Sequence, residues 1–312
     1  MKIVVTGGTG FLGSRLVQRL RENAATEVVI VARSCGHDIR RAESLRQVFD
    51  GAHTVFHLAA LVQSRPGSFL ETNVRGLINV LEASVRAGAK RLVYVSSFTV
   101  FGPSFHRAHD EQRLAARSHF FHGYDRTKYE ALQVARDWQQ RLPLNIVFPT
   151  VIFGPGRLTE GNIMVHLFRR WLRFRLAPLP LGGKPVWNFV FVDDVVEGLL
   201  KVVDADPGED FILGANNSSL LGLCQALGRL AGTNVKAIGL PAAIFKLSSY
   251  FEDYASRIGK FPPLVVPSTA GFFLNNWEFS SEKANRLLGY VPRELDEGLD
   301  YTIRWMREQN LA

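Results

Sequence analysis

Short apolar runs alternate with amphipathic stretches along the first half of the chain. Ile3-Val4-Val5 leads into a Gly-rich turn, and a helical pattern follows from Phe11 to Arg21. Val28 to Ala32 repeats the buried-strand signature; a helix is expected near Glu43 to Phe49 and a strand around Thr54 to Leu58. Ser68 to Ala87 carries Leu70, Val74, Leu77 and Leu81 at helical spacing and ends at Gly88, a residue type suited to a helix C-cap. Leu92 to Val95 reads as strand, Tyr124 to Arg141 as helix and Asn145 to Phe148 as strand. Apolar strands separated by helices predict a parallel sheet covered on both faces, an α/β, doubly wound fold.

The second half is less regular. Pro and Gly cluster at Gly154-Pro155-Gly156, from Pro178 to Pro185 and at Pro262-Pro263. A strand over Phe189 to Val192 precedes a helix opening at Asp193-Asp194. The expected organisation is one domain from residues 1–150 plus about 187–213, interleaved with a smaller lobe from about 151–186 plus 214–312.

Composition removes several classes. The 312 residues hold two cysteines, Cys35 and Cys224, too few for a disulfide scaffold and without a Cys-x-x-Cys pair for zinc. A reducing, cytoplasmic compartment fits that usage. The opening apolar run is short for a signal peptide, and no run reaches the ~18 residues of a membrane span. Lys plus Arg is 37 against 29 Asp plus Glu, a net charge of +8 that favours an anionic partner.

The turn after the first strand, Thr6-Gly7-Gly8-Thr9-Gly10-Phe11-Leu12-Gly13, suits a pyrophosphate. Gly7 permits the tight turn, Gly10 lets backbone approach the phosphates, and Gly13 allows close packing of helix on strand. The following helix start offers free N–H groups and partial positive charge. The expected fold is therefore a Rossmann domain. The residue that selects the cofactor lies about 20 positions beyond the loop, at the end of the second strand. Here it is Arg33, a planar cation suited to a ribose 2′-phosphate rather than a 2′-hydroxyl. NADP(H) is expected over NAD(H), with NAD(H) as the alternative.

The G-x-x-G-x-x-G spacing resembles the fingerprint of the extended short-chain dehydrogenase/reductase family, the epimerase/dehydratase-like type. Further segments match in order: Asp38-Ile39, His57-Leu58-Ala59-Ala60, Thr72-Asn73-Val74-Arg75-Gly76, Val95 through Gly102, Tyr124-Asp125-Arg126-Thr127-Lys128, Phe189 through Asp194 and Phe279 through Tyr290. The resemblance implies that Asp38 and Ile39 lie at the adenine ring. It also implies that Leu58, Ala59 and Ala60 run along the cofactor, that Pro149 adds a further contact, and that Asn73 braces the active site. Tyr124 becomes the acid/base for hydride chemistry. Lys128, four residues on, shares its helical face, and its ammonium favours the phenolate. It is also implied to bond the nicotinamide ribose. Ser97, preferred over Ser96 from its spacing to Gly102, would hydrogen-bond the substrate oxygen.

Departures from the family pattern point to the substrate. Phe148 and Val151 stand where many nucleotide-sugar members carry Arg and Asn, and Trp187 replaces a phosphate-binding Arg. Apolar groups cannot hold a diphosphate. Phe98-Thr99 replaces the Asp-Glu pair of sugar dehydratases, which argues against that activity. The Pro-Thr-Val-Ile-Phe-Gly-Pro version after the strand looks more like the dihydroflavonol reductase and 3β-hydroxysteroid dehydrogenase branch. Aromatic residues fill the second lobe at Ile244-Phe245, Phe251, Phe261 to Leu264 and Phe272-Phe273. They either line an apolar substrate site or only pack the lobe.

The leading expectation is an NAD(P)-dependent oxidoreductase that interconverts ketone and alcohol on a small apolar cyclic substrate. A nucleotide-sugar epimerase with bound NAD and a non-enzymatic NADP-sensing or assembly protein are the alternatives. His106, His109, His119 and His122 lack helical ligand spacing, so no metal is expected, although His122 could line the substrate entrance. The Arg169, Arg170, Arg173, Arg175 stretch reads as a solvated helix face or a peripheral membrane contact. No nucleic-acid module or integral membrane segment is expected, and a homodimer is compatible with the chain.

Overall fold

The computed structural model describes residues 1–62, 68–114, 120–259 and 265–312. The first half runs β1 (Lys2–Thr6), α1 (Phe11–Leu20), β2 (Glu27–Val31), α2 (Arg46–Phe49) and β3 (Thr54–His57). It continues through a π-helical turn (Leu70–Arg75) into α3 (Gly76–Arg86), then β4 (Arg91–Val95), α4 (Gly123–Trp138) and β5 (Leu144–Pro149). The second half comprises β6 (Val151–Phe153), α5 (Ile163–Phe174), β7 (Leu176–Pro180), β8 (Val186–Phe191), α6 (Val192–Val202), β9 (Asp210–Leu213) and β10 (Asn216–Ser219). It ends with α7 (Leu220–Ala231), β11 (Lys236–Leu240), α8 (Ala242–Gly259), α9 (Pro267–Phe273), α10 (Glu282–Leu288) and α11 (Leu295–Glu308).

Six strands form the main sheet in the order β2-β1-β3-β4-β5-β9, and every pairing in it is parallel. The pleat divides its apolar residues between two faces. Val4, Val55, Leu92 and Ile146 pack with Leu77 and Leu81 of α3 and Ala131 and Leu132 of α4. Val5, Phe56, Val93 and Val147 pack with Leu16 and Val17 of α1 and Val195 and Leu199 of α6. The doubly wound α/β architecture is thus the observed one.

Two details depart from the sequence reading. The helical pattern from Ser68 to Ala87 opens as the π-helical turn, and Asn73 lies inside it. The segment around 187–213 divides between two sheets: β9 extends the main sheet beside β5, whereas β8 pairs with β6 and β10 in a separate three-stranded sheet. Phe261 to Leu264 and His119 lie outside the described residues.

Asn188 of β8 ties the smaller sheet to its surroundings. It is 1% exposed. Its Oδ1 accepts from Thr150 Oγ1 at 2.8 Å and from the Ala215 N–H at 2.9 Å. Its Nδ2 donates to Asn217 Oδ1 at 2.9 Å and to the Phe279 carbonyl at 3.2 Å. One side chain therefore joins the end of β5, the approach to β10 and the segment after α9. Truncation would leave several buried polar groups unpartnered, each costing about 1–3 kcal/mol. Asn188→Ala is expected to lower the unfolding free energy by about 3 kcal/mol in chemical denaturation; a loss below about 1 kcal/mol would mean these segments are held elsewhere.

Candidate active site

The carboxyl ends of β1, β3, β4 and β5 open into a cavity of about 630 Å³ that reaches from the Gly-rich turn to the second lobe. In open α/β sheets this edge is where ligands bind. Gly7, Gly10, Phe11, Leu12 and Gly13 line one end. Gly7 has φ +72°, and a Cβ there would lie 2.7 Å from the Ala59 nitrogen. A Cβ on Gly13 would lie 2.2 Å from the Gly7 carbonyl oxygen. Both glycines are therefore needed for the loop to close on the helix. Gly10 is the N-cap of α1, with no side-chain cap and no acidic residue in the first turn. The first N–H groups of α1 are left for an anion, and this cradle fits a dinucleotide pyrophosphate.

Arg33 lines the same cavity from the turn after β2 and is exposed. Leu58, Ala60 and Pro149 also line it. Five residues expected at the cofactor or active site do not. The Thr9 carbonyl accepts from Arg157 at 3.4 Å. The Ala59 N–H donates to Thr6 Oγ1 at 3.3 Å, beneath the glycine turn. Asp38 is gripped by Arg40 through Nε at 3.0 Å and Nη2 at 2.5 Å, which holds its carboxyl below the usual range. Ile39 is buried against the start of α3, where a Cβ on Gly76 would meet its Cδ1 at 2.7 Å. Asn73 accepts from the Leu61 N–H at 2.8 Å and donates to Thr127 Oγ1 at 3.1 Å. Asn73 thus fixes the strand-end loop to the residue beside Lys128 and makes no direct bond to the lysine.

Ser96, Ser97, Tyr124 and Lys128 all face the cavity. Ser97 caps a short 3₁₀ turn, accepting from the Thr99 N–H at 3.3 Å and from Thr99 Oγ1 at 3.0 Å. Its own proton is then left to donate outward. Ser97 neighbours the Tyr124 phenol, whereas Ser96 neighbours Tyr94. Lys128 is 3% exposed, and its Nζ donates to the Val95 carbonyl at 2.9 Å. Burial pulls its ammonium down to about 7. Burial also raises the Tyr124 phenol, the Ser97 hydroxyl offsets part of the rise, and the Asp125 charge adds to it. Lys128 was expected to draw the phenol down; desolvation of both groups reverses that balance.

Two features were not read from the sequence. The loop after β6 folds back over α1, where a Cβ on Gly156 would meet the Phe11 ring at 2.9 Å, and Thr159, Glu160 and Gly161 join the cavity wall. Only Gly154-Pro155-Gly156 hinted at such a turn. His122 caps α4: its Nδ1 accepts from the Tyr124 N–H at 3.2 Å while Asp125 accepts from the His122 N–H at 2.9 Å. It also lines the cavity, and burial lowers it below the ordinary imidazole range. His109 instead packs on Phe101 and Phe279. Among the described residues no group of three or more His, Cys, Asp or Glu is placed to hold a metal.

The far end of the cavity is apolar. Val151, Ile163, Met164 and Leu167 line it together with Phe98, Trp187, Phe272 and Phe273. These rings are fixed from behind: Phe272 stacks on Trp277 at 4.2 Å, and Trp187 donates through Nε1 to the Asn275 carbonyl at 3.1 Å.

Residues 3–214 match the model of the NAD dependent epimerase/dehydratase family. The chain is 25% identical to Sterol demethylase protein B of Methylococcus capsulatus, over the whole of both chains. It is 27% identical to 3 beta-hydroxysteroid dehydrogenase type 7 of Homo sapiens, covering 97% of this chain and 95% of the relative. Among solved structures it resembles the UDP-glucose 4-epimerase of Thermus thermophilus in complex with NAD, with a TM-score of 0.78 and 20% identity over 98% and 99% of the two chains. That last likeness concerns the fold. The chain belongs to the NAD-dependent epimerase/dehydratase family of enzymes, the extended short-chain dehydrogenase/reductase type that binds NAD(P).

Proposed function

We propose that the protein is an NADP(H)-dependent oxidoreductase that interconverts a ketone and an alcohol on a small apolar cyclic substrate. The observation that carries this reading is the wall of the cavity beyond Tyr124. Val151 and Trp187 present hydrocarbon and indole at the two positions where the nucleotide-sugar members of the resemblance carry polar groups for a diphosphate. A charged diphosphate left unpaired against such a wall is strongly disfavoured. Relatives named for sterol and hydroxysteroid chemistry support the same substrate class.

When bound along the glycine turn, the dinucleotide supplies or accepts the hydride. The chain's own residues manage the proton. In reduction, Tyr124 donates its phenolic proton to the carbonyl oxygen as the alkoxide develops. Its raised pKa keeps that proton in place at neutral pH. Ser97 donates to the same oxygen and steadies its charge. Lys128, anchored on Val95, favours the phenolate after transfer and would bond the nicotinamide ribose. Asn73 and Asp125 act as positioning residues, the first through Thr127 and Leu61, the second through the start of α4. Arg33 is the cation for a 2′-phosphate. The two cysteines are free thiols, which supports a cytoplasmic setting. No helix among the described residues is long and apolar enough to cross a membrane.

Tyr124→Phe is expected to abolish NADPH oxidation in the presence of a cyclic ketone while NADPH binding, followed by fluorescence, persists. Full turnover by the variant would refute the assignment. Arg33→Ala is expected to weaken NADP(H) about tenfold or more and NAD(H) by less, as loss of a charge-assisted contact requires. An unchanged NADP(H) affinity would overturn the preference. Lys128 titrates near 7 when folded against 10.5 when free, so the unfolded chain holds the extra proton between those values. Stability of the ligand-free protein should therefore rise with pH across that window. Lys128→Met should lose that part of the slope, read from denaturation midpoints; an identical slope would contradict the burial argument.

A further inference from the structure

The outer face of α8 is more apolar than its inner face. Ile244, Leu247, Tyr250, Phe251 and Tyr254 are between 52% and 74% exposed. At helical periodicity these five fall within an arc of roughly 120°. Inward, the helix presents Phe245, Ser249 and Ser256, and Glu252 is held by Arg170 at 2.8 Å. A surface helix of a globular protein normally has the reverse arrangement. The stripe is therefore a face made to be covered.

Its neighbours carry positive charge. Arg170 fixes the C-terminal part of α5 beside α8, and Arg169, Arg173 and Arg175 lie on the same segment, exposed and without an ion pair among the described residues. Phe174, 65% exposed, sits between two of them. Lys246 lies on α8 itself and is exposed. Apolar and tyrosine side chains flanked by Arg and Lys are the pattern of a helix lying in a lipid headgroup layer. The same cations would repel one another across a symmetric contact between two copies.

The stripe also lies close to the cavity. Phe245 of α8 packs on Phe273 of α9 at 5.9 Å, and Phe273 lines the cavity. One layer thus separates the exposed stripe from the apolar wall.

We propose that α8 with the C-terminal end of α5 is a docking surface for an anionic lipid bilayer, setting the apolar cavity beside the phase in which a poorly water-soluble substrate is concentrated. The second half of this statement rests on the apolar-substrate reading above; the docking itself does not. The test is co-sedimentation of the full chain with vesicles of phosphatidylglycerol and phosphatidylcholine, against vesicles of phosphatidylcholine alone. Binding is expected to the anionic vesicles, to weaken with salt, and to fall about tenfold or more in Leu247→Ser/Phe251→Ser, whose replaced side chains are exposed and leave the core intact. The variant should keep its thermal midpoint and its turnover of a water-soluble ketone. No binding by the wild-type chain, or equal binding by the variant, overturns the proposal. So does a wild-type dimer in size exclusion that the variant breaks, since the stripe would then face a second copy. Because vesicle binding needs no turnover, docking without activity on apolar ketones would count against the substrate reading alone.

Discussion

The burial of one ammonium organises the site. Lys128 is almost wholly removed from water, and its Nζ donates to the Val95 carbonyl at the end of β4. A desolvated cation tolerates no second one nearby. Lys128 sits over the Tyr94 ring, with Nζ 5.2 Å from its centroid, and Tyr94 stacks on His57 at 5.7 Å. Burial and the lysine charge together depress His57 to about 3, so it stays neutral and bonds Thr6 Oγ1 at 2.7 Å. Thr6 in turn steadies the backbone of Ala59 beneath the Gly7 turn. The floor of the glycine turn and the buried ammonium of Lys128 are therefore parts of one stack.

The second lobe answers the same constraint from the opposite side. Its aromatic cluster lines the far end of the cavity that Lys128 and Tyr124 also face. Desolvation raises the Tyr124 phenol and lowers the Lys128 ammonium. Asn188 holds the wall to the sheet through buried hydrogen bonds. The proposed substrate class therefore rests on the same packing, in which Val151 and Trp187 belong to the apolar wall of the cavity.

Much of this was legible in the sequence. The alternation of Val4 and Val5 between two core clusters follows from strand periodicity, and the glycine turn from its spacing at the end of a strand. Tyr124 and Lys128 share a helix face by a four-residue interval, so their convergence needed no tertiary information. What stayed hidden depends on side-chain contacts, local and long-range, that leave no periodic trace. The capture of Asp38 by Arg40 is a local competition between two side chains. The fold-back of Gly156 onto Phe11 and the bonds from Asn188 to Phe279 span long stretches of chain. The raised pKa of Tyr124 is a property of enclosure, and residue types alone gave the opposite sign. The π-helical turn at Asn73 looked like ordinary helix because its apolar spacing is nearly unchanged.

Hydride chemistry on an apolar ring is the central claim. Its most direct measurement is the fate of deuterium from NADPH labelled at the transferring carbon, incubated with the protein and a panel of cyclic ketones and UDP-sugars. The account predicts an alcohol bearing deuterium on the former carbonyl carbon, with stoichiometric NADP⁺ and no change in the UDP-sugars. Epimerised UDP-sugar without net cofactor consumption, and no labelled alcohol, would contradict it.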